Sequence, residues 1–359
     1  MKKLFEEITL GKIPVRNRLV RSATHEYGGT EDGLYTPHIF HLYQGLAKGG
    51  VGLIISGMVG IDANARLVPT MIKAYDDSFV PGLKELADAV HTHGCKLVMQ
   101  ISHCGAKVKQ TDSGEDPVGM SSLPDRPEKT IRELTTGQLA QVVASFAATA
   151  ARCKSAGADG VQIHGAHGYL ISQSLSPIFH RRTDAYGGPI ENRARLLFEV
   201  YRAIRAAVGE DYPVWIKINS SDVSEGGLTF DECAWVCSQL DDMGINAIEL
   251  SGGIGISRES AAARLVKEEK DEGYFFDEAL ELAGKIKADV ISVGGYRTPA
   301  LLEQRLNAGN IKALSLGRPL IAEPGLPNRW REGDTRKAIC ISCNKCYAPE
   351  PLSCKVFPA

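Results

Sequence analysis

Short apolar runs rich in β-branched residues recur along the chain, and most of them are apolar at consecutive rather than alternate positions. Such runs are typical of parallel strands that are covered on both faces. Eight strands are predicted in this way, over residues 19–23, 51–59, 96–101, 160–164, 214–218, 247–251, 290–294 and 313–317.

Between these strands, apolar residues recur at spacings of three and four, which predicts helices with one buried side. The predicted helices cover residues 79–93, 136–156, 192–208, 229–243, 276–287 and 298–308. Strands that alternate with helices in this number favour a (β/α)8 TIM barrel. A doubly wound sheet is disfavoured, because no Gly-x-Gly-x-x-Gly turn follows the first strand.

Two parts of the chain depart from this alternation. Residues 102–133 have no clear period and carry Gly, Pro and Asp, which predicts a long loop above the third strand with a small hairpin in it. The last residues are rich in Cys and Pro. We therefore expect a barrel over residues 1–336 and a short Cys-rich tail over residues 337–359.

Composition narrows the class of protein. The chain has 359 residues, 43% of them hydrophobic and 23% charged, with a formal net charge of −2. These values are typical of a soluble globular protein and indicate neither a nucleic-acid partner nor an anionic membrane. The N-terminus carries acidic residues where a signal peptide needs an apolar run, and no apolar segment is long enough to span a bilayer. We expect a cytoplasmic protein that acts on a small molecule.

Polar residues collect at the predicted strand ends, which is where (β/α)8 barrels build their active sites. In chain order they are Thr24, His25, Tyr27, Gln100, Ser102, His103, His164, His167, Lys217, Asn219, Ser251, Tyr296, Arg297 and Arg318.

The fourth strand end carries the most informative group. His164 and His167 end an apolar run, and Tyr169 follows. Two neutral imidazoles and a phenol can hold and protonate a carbonyl or nitro oxygen. The alternatives are a metal pair, although no Asp or Glu follows at metal-ligand spacing, and ordinary core histidines.

Glycines end the last two strands. Gly294 and Gly295 close the seventh, and Gly317 with Arg318 closes the eighth. Barrels place a phosphate there on bare backbone N–H groups, and Arg318 could pair with it. Tight turns without a ligand are the alternative.

Two polar residues lie inside apolar strands. Lys217 alternates with Trp215 and Asn219, so a barrel would point it inward, toward an anion or an electron-rich group, unless it snorkels to the rim. Gln100 is predicted to be a buried amide that pairs with a pyrimidine-like edge or with the backbone.

Taken together, these residues resemble the old yellow enzyme family of FMN-dependent oxidoreductases, and especially the barrel domain of bacterial 2,4-dienoyl-CoA reductase. The matching motifs are Asn17-Arg18-Leu19-Val20, Ser22-Ala23-Thr24-His25, Gly50-Val51-Gly52-Leu53-Ile54, Gln100-Ile101-Ser102-His103-Cys104-Gly105, His164-Gly165-Ala166-His167-Gly168-Tyr169-Leu170, Leu175-Ser176-Pro177, Arg182-Thr183-Asp184-Ala185-Tyr186-Gly187-Gly188, Glu191-Asn192-Arg193, Val293-Gly294-Gly295-Tyr296-Arg297 and Leu316-Gly317-Arg318-Pro319.

The resemblance implies an FMN across the top of the barrel. The implied flavin contacts are Ser22, Ala23, Thr24, His25 and Met58 along the ring, Gln100 at the pyrimidine edge, Lys217 at N1 and O2, and Gly294, Gly295, Gly317 and Arg318 at the phosphate. His164 and His167 would bind the activating oxygen of the substrate, Tyr169 would be the proton donor, and Tyr27 a second phenol nearby.

The implied reaction is ping-pong. NAD(P)H would give a hydride to flavin N5, which would pass it to the C=C bond of an α,β-unsaturated carbonyl or nitro compound. Two other functions stay open: a dienoyl-CoA-reductase-like or demethylating oxidoreductase that receives electrons through a tail cluster, and a redox-responsive flavin-binding protein. A homo-oligomer is compatible with each, and the loop over residues 105–134 is expected to set substrate size.

The tail departs from the barrel-only members of the family. Cys340, Cys343, Cys346 and Cys354 resemble the [4Fe–4S] segment of larger relatives, with a shorter final spacing. A cluster, a structural zinc ion and an unmetallated remnant stay open. A cluster would require a separate electron-transfer partner.

Overall fold

The eight predicted strands form a closed parallel barrel in the computed structural model, which describes residues 1–63, 66–108, 116–123 and 130–357. The strands, including short ones outside the barrel, are β1 (Ile8–Leu10), β2 (Ile13–Val15), β3 (Leu19–Arg21), β4 (Leu53–Gly60), β5 (Lys96–Ser102), β6 (Val118–Gly119), β7 (Arg132–Glu133), β8 (Gly160–Gly165), β9 (Val214–Asn219), β10 (Ala247–Ser251), β11 (Asp289–Val293) and β12 (Ile311–Leu316). The barrel runs in the order β3-β4-β5-β8-β9-β10-β11-β12 and closes from β12 to β3. The prediction of a (β/α)8 barrel is confirmed.

Helices connect successive barrel strands, and two more follow the last strand. They are α1 (Pro37–Lys48), α2 (Val80–His91), α3 (Thr136–Ser155), α4 (Leu170–Leu175), α5 (Ile190–Arg193), α6 (Arg195–Val208), α7 (Phe230–Asp242), α8 (Phe276–Ala283), α9 (Pro299–Asn307), α10 (Arg318–Ala322) and α11 (Leu326–Arg331). Single 3₁₀ turns cover Asp77–Phe79, Gly105–Lys107 and Glu269–Asp271. Two of the predicted helices start at capping boxes, formed by Thr135 with Gln138 and by Thr229 with Glu232.

A hairpin that the sequence analysis did not predict closes the N-terminal end of the barrel. Strands β1 and β2 pair antiparallel ahead of the first barrel strand. Their side chains pack against the inward residues of the lower barrel, forming a cluster of Leu10, Ile13, Val15, Val20, Leu53, Ile55, Val98, Trp215, Ala247, Ile291 and Ala313. The indole Nε1 of Trp215 donates to the carbonyl of Gly11 at 3.1 Å. This end of the barrel is therefore filled, and an active site must lie at the other end.

The described residues between 102 and 133 do not form the predicted hairpin. Strands β6 and β7 pair with each other, but in parallel, so their connection is not a hairpin turn. The other part of the loop expected to set substrate size includes residues 109–115 and 124–129, which lie outside the described residues.

Two further observations concern cysteines and membranes. Cys95, Cys104, Cys153, Cys233 and Cys237 are buried free thiols that pack as small apolar residues. Across the described ranges, no helix is both long and apolar enough to cross a bilayer.

Candidate active site

A cavity of about 410 Å³ opens at the carboxyl ends of the barrel strands. It is lined by every flavin and substrate residue predicted from the sequence except Gly294. These lining residues are Ser22, Ala23, Thr24, His25, Tyr27, Met58, Gln100, His164, His167, Tyr169, Lys217, Gly295, Gly317 and Arg318. The topology therefore brings together residues that are spread over almost 300 positions of the chain.

A chain of buried polar side chains forms the floor of the cavity. Lys217 Nζ donates to Ser22 Oγ at 2.7 Å and lies 3.2 Å from Glu249 Oε1. Gln162 donates to the other oxygen of Glu249 at 3.1 Å and accepts from Gln100 Nε2 at 2.8 Å. These residues point inward because strand alternation places them one layer above the apolar cluster. Lys217 is fully enclosed, so the alternative in which it snorkels to the rim is wrong.

Glu249 carries a negative charge beneath the cavity. Burial alone would raise the pKa of this carboxyl group, but the Lys217 ammonium and hydrogen bonds from Ser22 and Gln162 hold it below its usual value. The floor therefore contains an ion pair that is close to neutral as a whole.

The histidine pair lies at the end of β8. The rings of His164 and His167 are perpendicular, with centroids 5.4 Å apart. His167 Nε2 is 2.8 Å from Ser251 Oγ, and the buried His164 Nδ1 has no hydrogen-bond partner within the described part of the chain. The backbone of His167 is left-handed (φ 61°), and its N–H donates to Asn219 Oδ1 at 3.1 Å. Such backbone strain is found mostly where function requires one orientation.

Both histidines are neutral at pH 7. Burial, reinforced by the positive charge of Lys217, lowers the pKa of His164 and His167 well below 6.5. Neutral imidazoles can donate a hydrogen bond to an oxygen on which negative charge develops. Among the described residues, no group of three or more His, Cys, Asp or Glu side chains could hold a metal ion, so the metal-pair alternative has no support.

Tyr169 lies beside this pair. Its ring centroid is 4.7 Å from that of His164. Burial raises the pKa of the Tyr169 phenol, so the group stays protonated and can donate. The second phenol, on Tyr27, lies edge-on to His25 with centroids 4.2 Å apart.

The imidazole of His25 has buried nitrogens whose hydrogen-bond partners are not among the described residues. Both of its ring nitrogens are buried without a hydrogen-bond partner in those residues. Burial lowers its pKa to about 4, so the ring is neutral and has one donor and one acceptor nitrogen. Because buried polar groups are nearly always satisfied, these two atoms fit a polar heterocycle in the cavity.

The other end of the cavity fits a phosphate. Gly295 has a positive φ of 78°, and a Cβ there would lie 2.6 Å from Val266 Cγ2, so the backbone is bare. Arg318 Nη1 donates to Asn344 Oδ1 at 2.6 Å and to the Arg264 carbonyl at 2.8 Å, which orients the guanidinium. Gly294 lies behind the wall, where its carbonyl accepts from Gly273 and Tyr274. The polar floor, the orphaned imidazole and this cationic end together fit FMN.

The tail cysteines surround a second, much smaller cavity of about 20 Å³, lined by Cys340, Cys343, Cys346 and Cys354. Arg318 lines both cavities. The thiol set has the chemistry of an iron–sulfur ligand set. Among the described residues, no three His, Cys, Asp or Glu side chains are placed so as to hold a metal ion, so the geometry of the four thiols does not separate a cluster, a zinc ion and an unmetallated tail.

Several residues of the site were missed by the sequence analysis. Gln162 and Glu249 complete the floor, whereas Lys107, Asn344 and Tyr347 line the cavity wall. The sequence did offer a signal for Gln162 and Glu249, since each is a polar residue at an inward position of an apolar strand. Lys107, Asn344 and Tyr347 lie outside the strands, where no periodicity predicts which way a side chain points.

The sequence of this chain matches one protein family and several known proteins. Residues 3–336 match the NADH:flavin oxidoreductase / NADH oxidase family. An NADH oxidase of Thermoanaerobacter brockii is 36% identical over 354 residues, covering 95% of this chain and 52% of the relative. An NADPH dehydrogenase of Clostridium acetobutylicum is 32% identical, covering 90% of this chain and 92% of the relative.

Solved structures agree with these sequence matches. A 2-naphthoyl-CoA reductase in complex with 2-naphthoyl-CoA superposes with a TM-score of 0.92 at 28% identity, covering 99% of this chain and 57% of that one. The chain thus spans about half the length of several relatives that it matches, including the NADH oxidase.

Proposed function

The chain belongs to the NADH:flavin oxidoreductase / NADH oxidase family, the old yellow enzyme family that its motifs resemble, and on this basis we propose that it is an FMN-dependent, NAD(P)H-driven ene-reductase. The substrate class proposed is an α,β-unsaturated carbonyl or nitro compound. The cavity residues would hold FMN, which when bound would supply hydride-transfer chemistry between NAD(P)H and the β-carbon of the substrate.

The residues of the cavity would perform the rest of the chemistry. His164 and His167, both neutral, would donate hydrogen bonds to the activating oxygen, which becomes more negative as the β-carbon gains a hydride. Ser251 orients His167 through its 2.8 Å contact with Nε2, leaving the other ring nitrogen for the substrate. Asn219 fixes the strained backbone of that histidine.

Tyr169 would donate a proton to the α-carbon. Its phenol stays protonated at neutral pH, because burial raises its pKa. The observation that carries the proposal is this convergence of two neutral donors and one protonated phenol on one cavity with a flavin-compatible floor.

Separate measurement of the two half-reactions tests the proposal. Tyr169→Phe should slow reoxidation of the reduced enzyme by 2-cyclohexenone on the order of 10²- to 10⁴-fold, the usual contribution of a general acid. Reduction of the enzyme by NADH or NADPH requires no proton from Tyr169 and should keep its rate.

The matched control is Tyr27→Phe, which removes the same atom from the second phenol. It should change reoxidation much less than the Tyr169 variant. If the Tyr27 variant has the larger effect, the proton donor is misassigned. If the wild-type enzyme reduces no enone, maleimide or nitroalkene, the ene-reductase proposal is wrong.

For the tail we propose a [4Fe–4S] cluster held by Cys340, Cys343, Cys346 and Cys354. The support is that all four thiols line one cavity next to the flavin site. Iron and acid-labile sulfide should be found in protein purified without oxygen, together with absorption beyond that of flavin. Protein with flavin absorption alone and no iron would exclude the cluster. Neither the cavity nor the comparisons favour a cluster-fed demethylating oxidoreductase or a redox-responsive binding protein over the ene-reductase.

A further inference from the structure

A buried amide and a buried carboxylate lie behind the histidine pair. Asn219 is the last residue of β9, Asp222 follows three residues later, and both are fully buried. Neither is among the described residues that line the cavity. The proposed chemistry uses Asn219 only as the acceptor for the His167 N–H, and it gives Asp222 no role. A buried carboxylate calls for a reason, because burying a charged group is costly unless hydrogen bonds compensate it.

The hydrogen bonds of the Asn219 amide fix which way it faces. Its Oδ1 accepts from the His167 N–H at 3.1 Å. Its Nδ2 donates to the Gly253 carbonyl at 3.2 Å and to Asp222 Oδ1 at 3.3 Å, and it lies 3.4 Å from Ser172 Oγ. A flipped amide would put its NH2 group against the His167 N–H and its oxygen against the carbonyl and the carboxylate. The acceptors on the Nδ2 side therefore keep Oδ1 facing His167.

The carboxylate of Asp222 is itself held in place. Its Oδ2 accepts from the Leu228 N–H at 2.9 Å, and the Asp222 N–H donates to the Leu228 carbonyl at 3.0 Å. A Cβ on Gly227 would lie 2.6 Å from Asp222 Cβ, so the loop closes tightly over this side chain. Burial raises the pKa of the carboxyl group, while the hydrogen bonds from Leu228 and Asn219 favour its ionised form. Because Leu228 occupies Oδ2, Oδ1 is the atom that faces Asn219.

Two residues of this region have a left-handed backbone, which is strained for any residue but glycine. They are His167, with φ 61°, and Val223, with φ 51°, which follows Asp222. A β-branched residue in this conformation is a rare outlier, and such strain persists only where the surrounding contacts over-determine it. The strain thus lies at both ends of one hydrogen-bonded path, which runs from Asp222 through Asn219 to His167 and ends at the cavity.

We propose that Asp222 is a positioning residue for oxygen binding: its carboxylate fixes the Asn219 amide, which fixes the backbone and hence the ring of His167. The inference rests on the proposed function, in which His167 binds the activating oxygen of the substrate. It adds a residue that acts on the substrate oxygen without touching it.

The ring of His167 is held from two sides. Asn219 holds its backbone N–H, and Ser251 Oγ lies 2.8 Å from its Nε2. Asn219 and Ser251 are register partners at the ends of β9 and β10, so both supports come from one rung of the barrel. If the Asn219 amide turns, only the Ser251 support is left. Even a small displacement of a donor group weakens its contact with the substrate in the reactive geometry.

An isosteric substitution tests the carboxylate. In Asp222→Asn the atom that faces the Leu228 N–H must stay an oxygen, so the new NH2 group would face Asn219 Nδ2, donor against donor. The probe is 4-nitrophenol, whose anion carries negative charge on an oxygen and absorbs visible light. Its affinity for the holoenzyme should fall about tenfold in this variant, which corresponds to about 1.4 kcal/mol. Equal affinity in the variant and the wild type would overturn the inference.

A second background separates positioning from a general loss of structure. His167→Ala removes the ring through which Asp222 is proposed to act. In that background Asp222→Asn should change the affinity for 4-nitrophenol by less than about twofold, because the two substitutions remove the same contribution. A further tenfold loss would show that the carboxylate acts on the protein in general, and the inference would be wrong.

The matched control is Asp159→Asn. The Asp159 carboxylate also accepts from a backbone N–H, that of Leu97 at 2.8 Å, but it directly precedes β8 and so lies at the opposite end of the barrel. This variant should bind 4-nitrophenol as tightly as the wild type. A loss as large as that of Asp222→Asn would count against a specific role for Asp222.

An exchange of the two side-chain types provides a rescue. Asn219→Asp alone places two carboxylates against each other and should weaken binding. When it is combined with Asp222→Asn, a carboxylate again faces an NH2 group and can still accept from the His167 N–H. The affinity should then exceed that of Asp222→Asn alone by about threefold or more, and no recovery would overturn the inference. If Asp222→Asn does not fold, the exchange variant decides: affinity within about tenfold of the wild type supports the inference, and weaker binding overturns it.

The titration keeps this inference separate from the ene-reductase proposal, because binding of 4-nitrophenol requires no turnover. If the wild type binds 4-nitrophenol but reduces no enone, the ene-reductase proposal fails, while the titrations still decide the role of Asp222. If the wild type does not bind 4-nitrophenol, the histidine pair does not bind an oxygen anion and the inference is overturned. With 2-cyclohexenone as oxidant, Asp222→Asn should lower kcat/KM for reoxidation about tenfold.

Discussion

Removing one partner of the Lys217–Glu249 pair should destabilise the protein about as much as removing both, rather than half as much. The two charged atoms are 3.2 Å apart, and both side chains are buried. At an effective dielectric constant near 20, Coulomb's law gives about 5 kcal/mol for their attraction. Deleting one partner of a buried pair typically costs about 3–5 kcal/mol, because the other charge stays buried without compensation.

Lys217→Met, Glu249→Gln and the double variant therefore form a thermodynamic cycle. We would use apoprotein, so that flavin binding does not contribute. Unfolding entropy of about 2.1 cal/mol/K per residue, over 359 residues, makes one degree of Tm worth about 0.75 kcal/mol. Each single variant should lose about 4–7 °C in Tm. The double variant should lose no more than the worse single variant, because no uncompensated charge is left.

Additive losses in the double variant would refute this reasoning, since they would show that the two side chains do not compensate each other. Glu26→Gln in place of Glu249→Gln is the matched control. Glu26 is an equally buried carboxylate, but it is held by Tyr43 and by the N–H of Gly57. Its combination with Lys217→Met should be additive to within about 0.5 kcal/mol.

Two other predictions concern pH and the closed end of the barrel. Burial lowers the pKa of His25 and His103 to about 4 from 6.5, so in this interval the unfolded chain binds more protons than the folded one. Their contribution to the free energy of unfolding should be fully present above pH 6.5 and should fall by up to about 3 kcal/mol per histidine toward pH 4. Tm should therefore drop between pH 7.5 and 5, and it should drop less steeply in the His103→Gln variant. An equal slope in both proteins would contradict this. Gly11→Ala should lower the free energy of unfolding by about 1–3 kcal/mol, because the φ of Gly11 is 50° and a Cβ there would lie 2.4 Å from Trp215 Nε1. The control is Gly209→Ala. Gly209 also has a positive φ, but a Cβ there would meet no such contact, so this variant should lose less. Equal losses would mean that backbone strain alone matters at Gly11.

The barrel could be predicted from the sequence because its strands are buried on both faces. Apolar runs such as 160–164 and 214–218 have no polar alternation, and the helices between them keep helical spacing. The hairpin of β1 and β2 was missed for a physical reason. Each strand has only three residues, and they are stabilised by contact with Trp215 and the lower barrel rather than by a pattern of their own.

The candidate site was predictable wherever a residue stands at a strand end. His164, Lys217 and Arg318 were found in this way and lie on one cavity. Glu249 stands at an inward position of an apolar strand and so gave a signal, but the sequence does not show which side chain it pairs with. Its partner comes from β9, and sequence spacing does not report which inward side chains share a layer of the barrel.

The C-terminal tail lies outside the family match, yet it packs against the barrel and contributes to its cavity. The family match ends at residue 336, yet Asn344 and Tyr347 line the flavin cavity. Arg318 donates to Asn344, and Asn344 donates in turn to the carbonyl of Ala263 at 3.0 Å, so the tail joins two barrel loops. The Leu352 N–H donates to the Glu26 carbonyl, next to His25. Because Arg318 lines both cavities, we expect a change in the geometry of the four cysteines to alter the position of Arg318 at the flavin cavity.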